Sequence, residues 1–304
     1  MLEIAVMIEG QNGLTWPRWQ KIARLVEDAG FVGLFRSDHF TNGDPPDMES
    51  LELWTSLTWL ASNTARIEFG PLVTPFSFRH PVHTARMASA VDDLSGGRLV
   101  LGLGAGWNER EHHLFGFDLL EPDDRFDRFQ EGMEVVTRLL HSDTPVTFEG
   151  RYYQLRGATL LPRPQRPGGP RILIGGNGAN RTLKYVVRYA SEWNCVSLLP
   201  DKFAGLNRRL DEMLVEAGRE PASVRRSMMT GCVFGTDEPS LQRKVTMYGQ
   251  TVEELQRGGI VAGSLSAIRE QLQALEQAGL QRIMLQWLDL DDLESLQVLA
   301  NGIL

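Results

Sequence analysis

Apolar segments of strand length alternate with helical patterns along almost the whole of this chain. Eight segments have the composition of buried strands, namely Glu3–Ile8, Val32–Arg36, Ile67–Val73, Arg98–Leu103, Arg171–Ile174, Trp193–Ser197, Ser227–Phe234 and Arg282–Trp287. Several are apolar almost continuously, as strands covered on both faces must be. Eight β-then-α units in 304 residues predict an α/β fold, a (β/α)₈ TIM barrel, over the competing open doubly wound sheet.

The helical patterns lie between these strands and after the last of them. They cover Trp16–Ala29, Leu51–Ser62, Val82–Leu94, Arg125–Leu140, Arg181–Ala190, Phe203–Ala217, Pro239–Tyr248, Ser266–Ala278 and Asp292–Asn301. The alternation breaks once, between about residues 142 and 170, where Pro162, Pro164, Pro167 and Pro170 rule out a helix. We predict an insertion there with a β-hairpin, between the fourth and fifth strands and over the barrel. Residues 1–304 are expected to form a single domain.

Charge and composition exclude several classes of partner. The formal net charge of -8 and the lack of basic runs argue against nucleic acid or an anionic membrane surface. The first residues resemble a strand and not a signal peptide, and no apolar run is long enough to span a bilayer. The two cysteines, Cys195 and Cys232, lie in strand-like segments and are expected to be buried and reduced. We therefore expect a cytoplasmic protein that acts on a small molecule.

The fourth predicted strand ends in a glycine-rich run, Gly102-Leu-Gly-Ala-Gly106, followed by Trp107-Asn-Glu. Glycines at a strand's carboxyl end are expected to expose bare backbone to a flat ligand. The spacing of a dinucleotide-binding fingerprint fails, because its third glycine would fall on Trp107 or Glu109. Trp107 is interpreted either as the wall of a planar ligand site or as ordinary loop packing.

Two other strand ends carry side chains that suit catalysis or binding. The second strand ends in Asp38-His39, which puts an imidazole at the barrel mouth. His39 could bind a cofactor ring or move a proton, or it could tie a loop to the barrel rim. Thr74 ends the third strand between two prolines, and its hydroxyl could contact a ligand or its own backbone.

The fifth strand runs into Gly175-Gly-Asn-Gly-Ala179 and then a helix. Successive backbone N–H groups beside a helix start form an anion site, and a phosphate fits it best. A flexible connection is the alternative. No metal site is predicted, since the paired His80 and His83 have no acidic or thiol partner nearby in sequence.

Taken together, these segments resemble the luciferase-like monooxygenase superfamily, and within it the branch of deazaflavin-dependent oxidoreductases that use coenzyme F420. The landmarks are Ser37–Phe40, Gly70–Pro81, Asp93–Arg98, Gly102–Glu109, Phe148–Tyr153 and Ile174–Gly178. The resemblance implies a (β/α)₈ barrel, a bound flavin or deazaflavin, and commonly a homodimer.

The resemblance also implies roles for particular residues. Asp38 and His39 would lie against the tricyclic ring, and Thr74 would contact its edge. A non-prolyl cis peptide near Leu72–Val73 would prop the ring. Ala105, Gly106, Trp107 and Asn108 would line the ring or the cofactor side chain, while Gly175, Gly176, Asn177, Gly178 and Ala179 would hold the phosphate. The Tyr152-Tyr153 segment would partly cover the mouth.

One departure from this branch bears on the substrate. Its sugar-phosphate dehydrogenases carry a catalytic glutamate where this chain has Trp107, so sugar-phosphate oxidation is not expected. We expect hydride transfer between reduced F420 and a small organic substrate, with His39 as the catalytic residue. The alternatives are an FMN-dependent monooxygenase of the same superfamily, a non-catalytic flavin carrier, and a phosphate-handling isomerase or aldolase. The last would want a lysine or a carboxylate pair at strand ends.

Overall fold

The structure is a computed structural model that describes residues 1–304, except for the side chain of Met247. Its strands are β1 Glu3–Ile8, β2 Gly33–Arg36, β3 Glu68–Pro71, β4 Thr74–Pro75, β5 Val100–Gly104, β6 Val146–Glu149, β7 Gln154–Ala158, β8 Arg171–Gly175, β9 Glu192–Val196, β10 Arg225–Phe234, β11 Val261–Gly263 and β12 Arg282–Gln286. Its helices are α1 Trp16–Ala29, α2 Leu53–Asn63, α3 Pro81–Leu94, α4 Glu109–Phe115, α5 Pro122–His141, α6 Thr182–Tyr189, α7 Pro200–Glu216, α8 Glu238–Met247, α9 Val252–Arg257, α10 Leu265–Gln277 and α11 Leu293–Ile303.

The main sheet is parallel and closes into a barrel. Its order is β3-β2-β1-β12-β10-β9-β8-β5-β4. A parallel bridge between Phe69 and Leu99, with the Phe69 N–H donating to the Arg98 carbonyl at 3.2 Å, joins β3 to the start of β5. Since β3 and β4 are two pieces of one wall position, the barrel has eight positions. The (β/α)₈ TIM barrel prediction is confirmed.

The third wall position divides where the sequence predicted one continuous strand over Ile67–Val73. β3 ends at Pro71, the Leu72–Val73 peptide is cis, and β4 resumes at Thr74. The non-prolyl cis bond that the family resemblance implied is therefore present at the expected residues.

The insertion between the fourth and fifth barrel strands is also confirmed. β6 and β7 form an antiparallel hairpin. Three N–H groups at its tip, those of Arg151, Tyr152 and Tyr153, donate to the Glu131 carboxylate on α5. This helix carboxylate fixes the hairpin tip against the barrel's outer layer.

Apolar side chains fill the barrel in two layers. A small cluster that includes Met7, Phe35, Val100 and Leu173 packs inside the cylinder. A much larger cluster lies between the strands and the surrounding helices. The strands are apolar on both faces because each face meets one of these layers.

The amino ends of the strands carry a ring of charges that closes the barrel floor. The first residues of six strands are Glu3, Glu68, Arg171, Glu192, Arg225 and Arg282. Arg282 is 2% exposed and pairs with Glu3 at 2.7 Å and with Glu192 at 3.5 Å. Three acidic and three basic side chains meet here, so the charges of the buried Glu192 and Arg282 are compensated.

Some short elements were not predicted. These are β11, α4 and α9, each of seven residues or fewer. Segments this short hold too few residues to show a helical or strand periodicity, since even seven residues make less than two helical turns. Among the described residues, none of the helices combines the length and the apolar character that crossing a bilayer requires.

Candidate active site

The strand order brings the predicted site residues to one end of the barrel. His39 follows β2, residues 72 and 73 join β3 to Thr74 at the start of β4, residues 105–108 follow β5, and residues 176–179 follow Gly175 at the end of β8. These are adjacent wall positions, and parallel strands present their carboxyl ends at the same face. The imidazole and the glycine-rich turn after β8 therefore lie on the same rim, with residues 72–74 and 105–108 between them.

His39 is held by a buried carboxylate from α4. Its Nδ1 lies 2.7 Å from Glu111 Oε1, and the Phe40 N–H donates to Glu111 Oε2 at 2.9 Å. Glu111 is 0% exposed and the His39 side chain 16% exposed. Because Nδ1 points toward Glu111, the opposite ring nitrogen, Nε2, points away from it and is the one that remains for a ligand.

The surroundings of His39 favour its charged form. Burial disfavours the imidazolium, but the Glu111 hydrogen bond and the charges of Glu111, Glu9 and Asp38 together outweigh that effect. The pKa of His39 is therefore raised above the ordinary 6.5. The site thus stabilises a protonated imidazole at a strand end.

Asp38 belongs to a second buried network of hydrogen bonds and ion pairs. Its Oδ2 accepts a hydrogen bond from the Thr74 hydroxyl at 2.5 Å and is ion-paired with Arg79. Arg79 also pairs with Glu52 at 3.2 Å. The Thr74 hydroxyl is thus bound to Asp38, and the alternative that it bonds its own backbone is wrong. These contacts tie the end of β2 to β4, on either side of the ring position that the resemblance implied.

Val73 occupies the space that two glycines of β5 leave open. A Cβ on Gly104 would lie 2.5 Å from a Val73 methyl, and one on Gly102 would lie 2.1 Å from the Pro71 carbonyl oxygen. The expectation that Gly102 and Gly104 expose bare backbone to a ligand is wrong, because the chain between β3 and β4 fills that space. The glycines set the position of Val73.

The residues after β5 differ in accessibility. Trp107 is 65% exposed, and its ring meets the His39 ring edge-on at 5.4 Å. Asn108 is buried and caps α4, accepting from the Glu111 N–H at 3.4 Å and donating to the Thr41 carbonyl at 3.3 Å. Gly106 has a φ of +89° and its carbonyl accepts from Arg125 at 3.0 Å. Ala105, which directly follows β5, is half-buried. Trp107 is thus the accessible side chain of this run.

The turn after β8 has the backbone of an anion site. Within the described part of the chain, the N–H groups of Asn177, Gly178 and Ala179 have no partner in the protein. The Gly176 N–H is already donated to the Asn194 carbonyl at 2.8 Å. The Asn177 side chain bonds both backbone groups of Val196 at 2.8 Å, which fixes the turn to β9. The free N–H groups precede α6, whose positive end favours a negative charge.

No group of three or more histidine, cysteine or acidic side chains among the described residues is arranged to hold a metal ion. A cavity of about 600 Å³ lies at the opposite end of the barrel beside Glu3, Arg171 and Arg225. Charged groups that already pair with one another line it, so it is not where a barrel of this kind carries out chemistry.

Sequence reasoning missed two contributors to the site. Glu111 lies 72 residues from His39 in sequence, and its only local signal is its place three residues after the helix cap Asn108. Glu9, at the end of β1, accepts from Gln11 at 2.9 Å and from Gln286 at 2.6 Å. A carboxylate that follows a buried strand is the signal that could have identified Glu9.

Comparisons with characterised proteins agree with this architecture. The chain is 32% identical over 173 residues to an F420-dependent glucose-6-phosphate dehydrogenase of Kineococcus radiotolerans, covering 57% of this chain and 50% of that protein. It is 34% identical over 157 residues to 4-hydroxyprotoasukamycin monooxygenase of Streptomyces nodosus subsp. asukaensis, covering 52% of this chain and 41% of that protein. The alignments thus span about half the length of these relatives.

The fold matches known structures over its whole length. An F420-dependent secondary alcohol dehydrogenase, solved in complex with an F420–acetone adduct, superposes with a TM-score of 0.85 at 17% identity, covering 100% of this chain and 99% of that one. The family model for luciferase-like monooxygenases matches residues 3–298. The chain therefore belongs to the luciferase-like monooxygenase family.

Proposed function

We propose that this protein is an oxidoreductase that transfers a hydride between coenzyme F420 and a small organic substrate. The arrangement that carries the proposal is the shared rim, where the His39 imidazole and the unpaired N–H groups of residues 177–179 flank the Leu72–Val73 segment. The similarity to an F420-dependent dehydrogenase supports the choice of cofactor. Residues 1–304 would act as one domain.

The residues present fit such a cofactor. The unpaired N–H groups of Asn177, Gly178 and Ala179 would hold its phosphate. Val73 would support the tricyclic ring from the side of β5, and Trp107 would border it. When bound, the deazaflavin supplies a carbon that gives or accepts a hydride; the protein supplies position and charge.

His39 would handle the proton that accompanies hydride transfer. Its Nδ1 is occupied by Glu111, so the proton would leave or arrive at Nε2. Reduction of a carbonyl needs one hydride on carbon and one proton on oxygen. A protonated imidazole at the rim meets the second need.

A second candidate is an FMN-dependent monooxygenase. The similarity to 4-hydroxyprotoasukamycin monooxygenase favours it, and FMN shares with F420 a tricyclic ring and a phosphate. The experiment that separates the two is titration of the cofactor-free protein with F420 and with FMN, followed by absorbance and by retention in gel filtration. We expect F420 to bind at least about tenfold more tightly. Tighter binding of FMN, or binding of neither, refutes the proposal.

Variants test whether the turn after β8 holds the phosphate. Ala179→Glu adds a negative charge beside the free N–H groups and should weaken F420 binding by at least about tenfold. Ala217→Glu is the matched control, since Ala217 is exposed at the far end of α7. Equal affinities in the two variants contradict this placement. The same gel filtration tests our expectation of a homodimer.

A further inference from the structure

A cleft opens in the barrel wall where β10 changes partner. Residues 227–231 of β10 pair with β12, in register as far as Gly231 opposite Gln286. From Cys232 onward the strand pairs with β11 instead. β10 thus diverges from the chain that leaves β12, and the two segments separate at the carboxyl end of the barrel.

The separation leaves a cavity of about 370 Å³. Its lining residues are Cys232, Val233, Lys244, Tyr248, Trp287, Leu288 and the exposed Asp289. This volume falls in the range of small-molecule pockets. Apolar side chains and aromatic rings make up most of the wall.

The single cation of this lining is already neutralised. Lys244 Nζ pairs with Asp292 at 2.5 Å, donates to the Phe234 carbonyl at 2.8 Å, and lies 4.9 Å from the centre of the Trp287 ring. Burial raises the pKa of the Cys232 thiol to about 12, so it too is uncharged near neutral pH. An anionic ligand would have to break the Lys244–Asp292 pair to gain a counter-charge here.

The cleft is connected to the rim that carries His39. The side chain of Gln286, the last residue of β12, donates to the Glu9 carboxylate at 2.6 Å. The backbone N–H of Trp287 donates to the Met7 carbonyl at 2.9 Å. Glu9 is close enough to His39 for its charge to favour the imidazolium. Hydrogen bonds therefore join the wall of the cleft to the end of β1, and β1 adjoins β2.

We propose that this cleft binds the apolar body of an uncharged organic substrate and selects against phosphorylated or other anionic ones. The assignment of the molecule as substrate rests on the proposed function, whereas its binding does not. The Tyr248 hydroxyl is the neutral polar group that can orient it. This choice of ligand separates the chain from a relative named for a sugar phosphate.

The test is ligand-observed NMR on the full chain, with and without F420, using cyclohexanone as the uncharged probe and glucose 6-phosphate as the anionic one. We expect saturation transfer to cyclohexanone and none to glucose 6-phosphate. Leu288→Glu puts a charge into the cleft and should weaken cyclohexanone binding at least about tenfold. Leu94→Glu, at an exposed leucine on α3, should leave it unchanged.

Each outcome decides the matter. Binding of glucose 6-phosphate in preference to the ketone, equal ketone binding in both variants, or ketone binding in neither condition overturns the cleft assignment. If Leu288→Glu does not fold, as judged by its thermal melt, Leu288→Ala serves and should weaken binding by a smaller factor. Because cofactor affinity is measured separately, a failure of F420 binding with intact ketone binding refutes the proposed function and leaves the cleft standing.

Discussion

Replacement of Glu111 by glutamine should change the charge state of His39. The carboxylate lies 2.7 Å from Nδ1 and is fully buried. Two unit charges about 4 Å apart interact by about 4 kcal/mol at an effective dielectric constant of about 20. The amide can still bond Nδ1 but carries no charge, so we expect the pKa of His39 to fall in this variant.

The assay is a histidine titration by heteronuclear NMR. The chain has 6 histidines, and the spectrum of His39→Asn identifies the signal that belongs to His39. Glu109→Gln is the matched control, because Glu109 lies in the same first turn of α4 but is exposed. An unchanged His39 pKa in Glu111→Gln, or an equal shift in Glu109→Gln, would refute the reasoning.

The same contact predicts how stability depends on pH. His39 has a folded-state pKa raised above its unfolded value, so its contribution to stability is fully present below the unfolded pKa. That contribution is lost as the pH rises through the folded pKa. The difference in unfolding free energy between wild type and Glu111→Gln should therefore be larger at pH 6 than at pH 9, as measured by urea denaturation. A difference that grows with pH contradicts the ion pair.

Three further outcomes are expected. Gly70→Ala would place a Cβ 1.8 Å from the Val100 carbonyl oxygen where β3 meets β5, and should lower the unfolding free energy by about 1–3 kcal/mol or more. Gly43 has open space around it, so Gly43→Ala is the control. Equal melting temperatures of the two variants would contradict barrel closure at this point. Arg282→Met leaves the buried Glu192 carboxylate with only the longer Arg225 contact at 3.6 Å and should cost about 3–5 kcal/mol in urea denaturation, against less than about 1 kcal/mol for an exposed arginine. Burial raises the pKa values of the Cys195 and Cys232 thiols to about 12, so neither should react with a thiol reagent at pH 8 until urea unfolds the chain. Rapid reaction of the native protein would contradict this, because it would show an accessible thiolate.

The barrel was predictable because each wall strand is buried on both faces. Such strands appear in sequence as nearly uninterrupted apolar runs, and Glu3–Ile8 agrees with its structural bounds residue for residue. The break at Leu72–Val73 was implied by family resemblance alone. Nothing in the apolar pattern of Ile67–Val73 marks it, since periodicity reports which face is buried and not where a backbone bends.

The sequence predicted only those site residues that lie at the ends of strands. His39 and Thr74 were identified because each follows a buried strand, and the structure places both at the rim. The partners of these residues were not identified. Glu111 reaches His39 from a helix 72 residues away, and Arg79 reaches Asp38 across 41 residues. Such pairs depend on how α4 and the segment between β4 and α3 pack against the rim, which no local sequence pattern records.

The contact between Gly104 and Val73 has a consequence for how this chain can change over generations. The two positions share one small volume, so a side chain can be gained at either only if the other gives up atoms. We expect chains of this lineage that carry alanine or serine at the first position to carry alanine or glycine at the second. Single exchanges at either position should be rare, whereas the paired exchange should be tolerated.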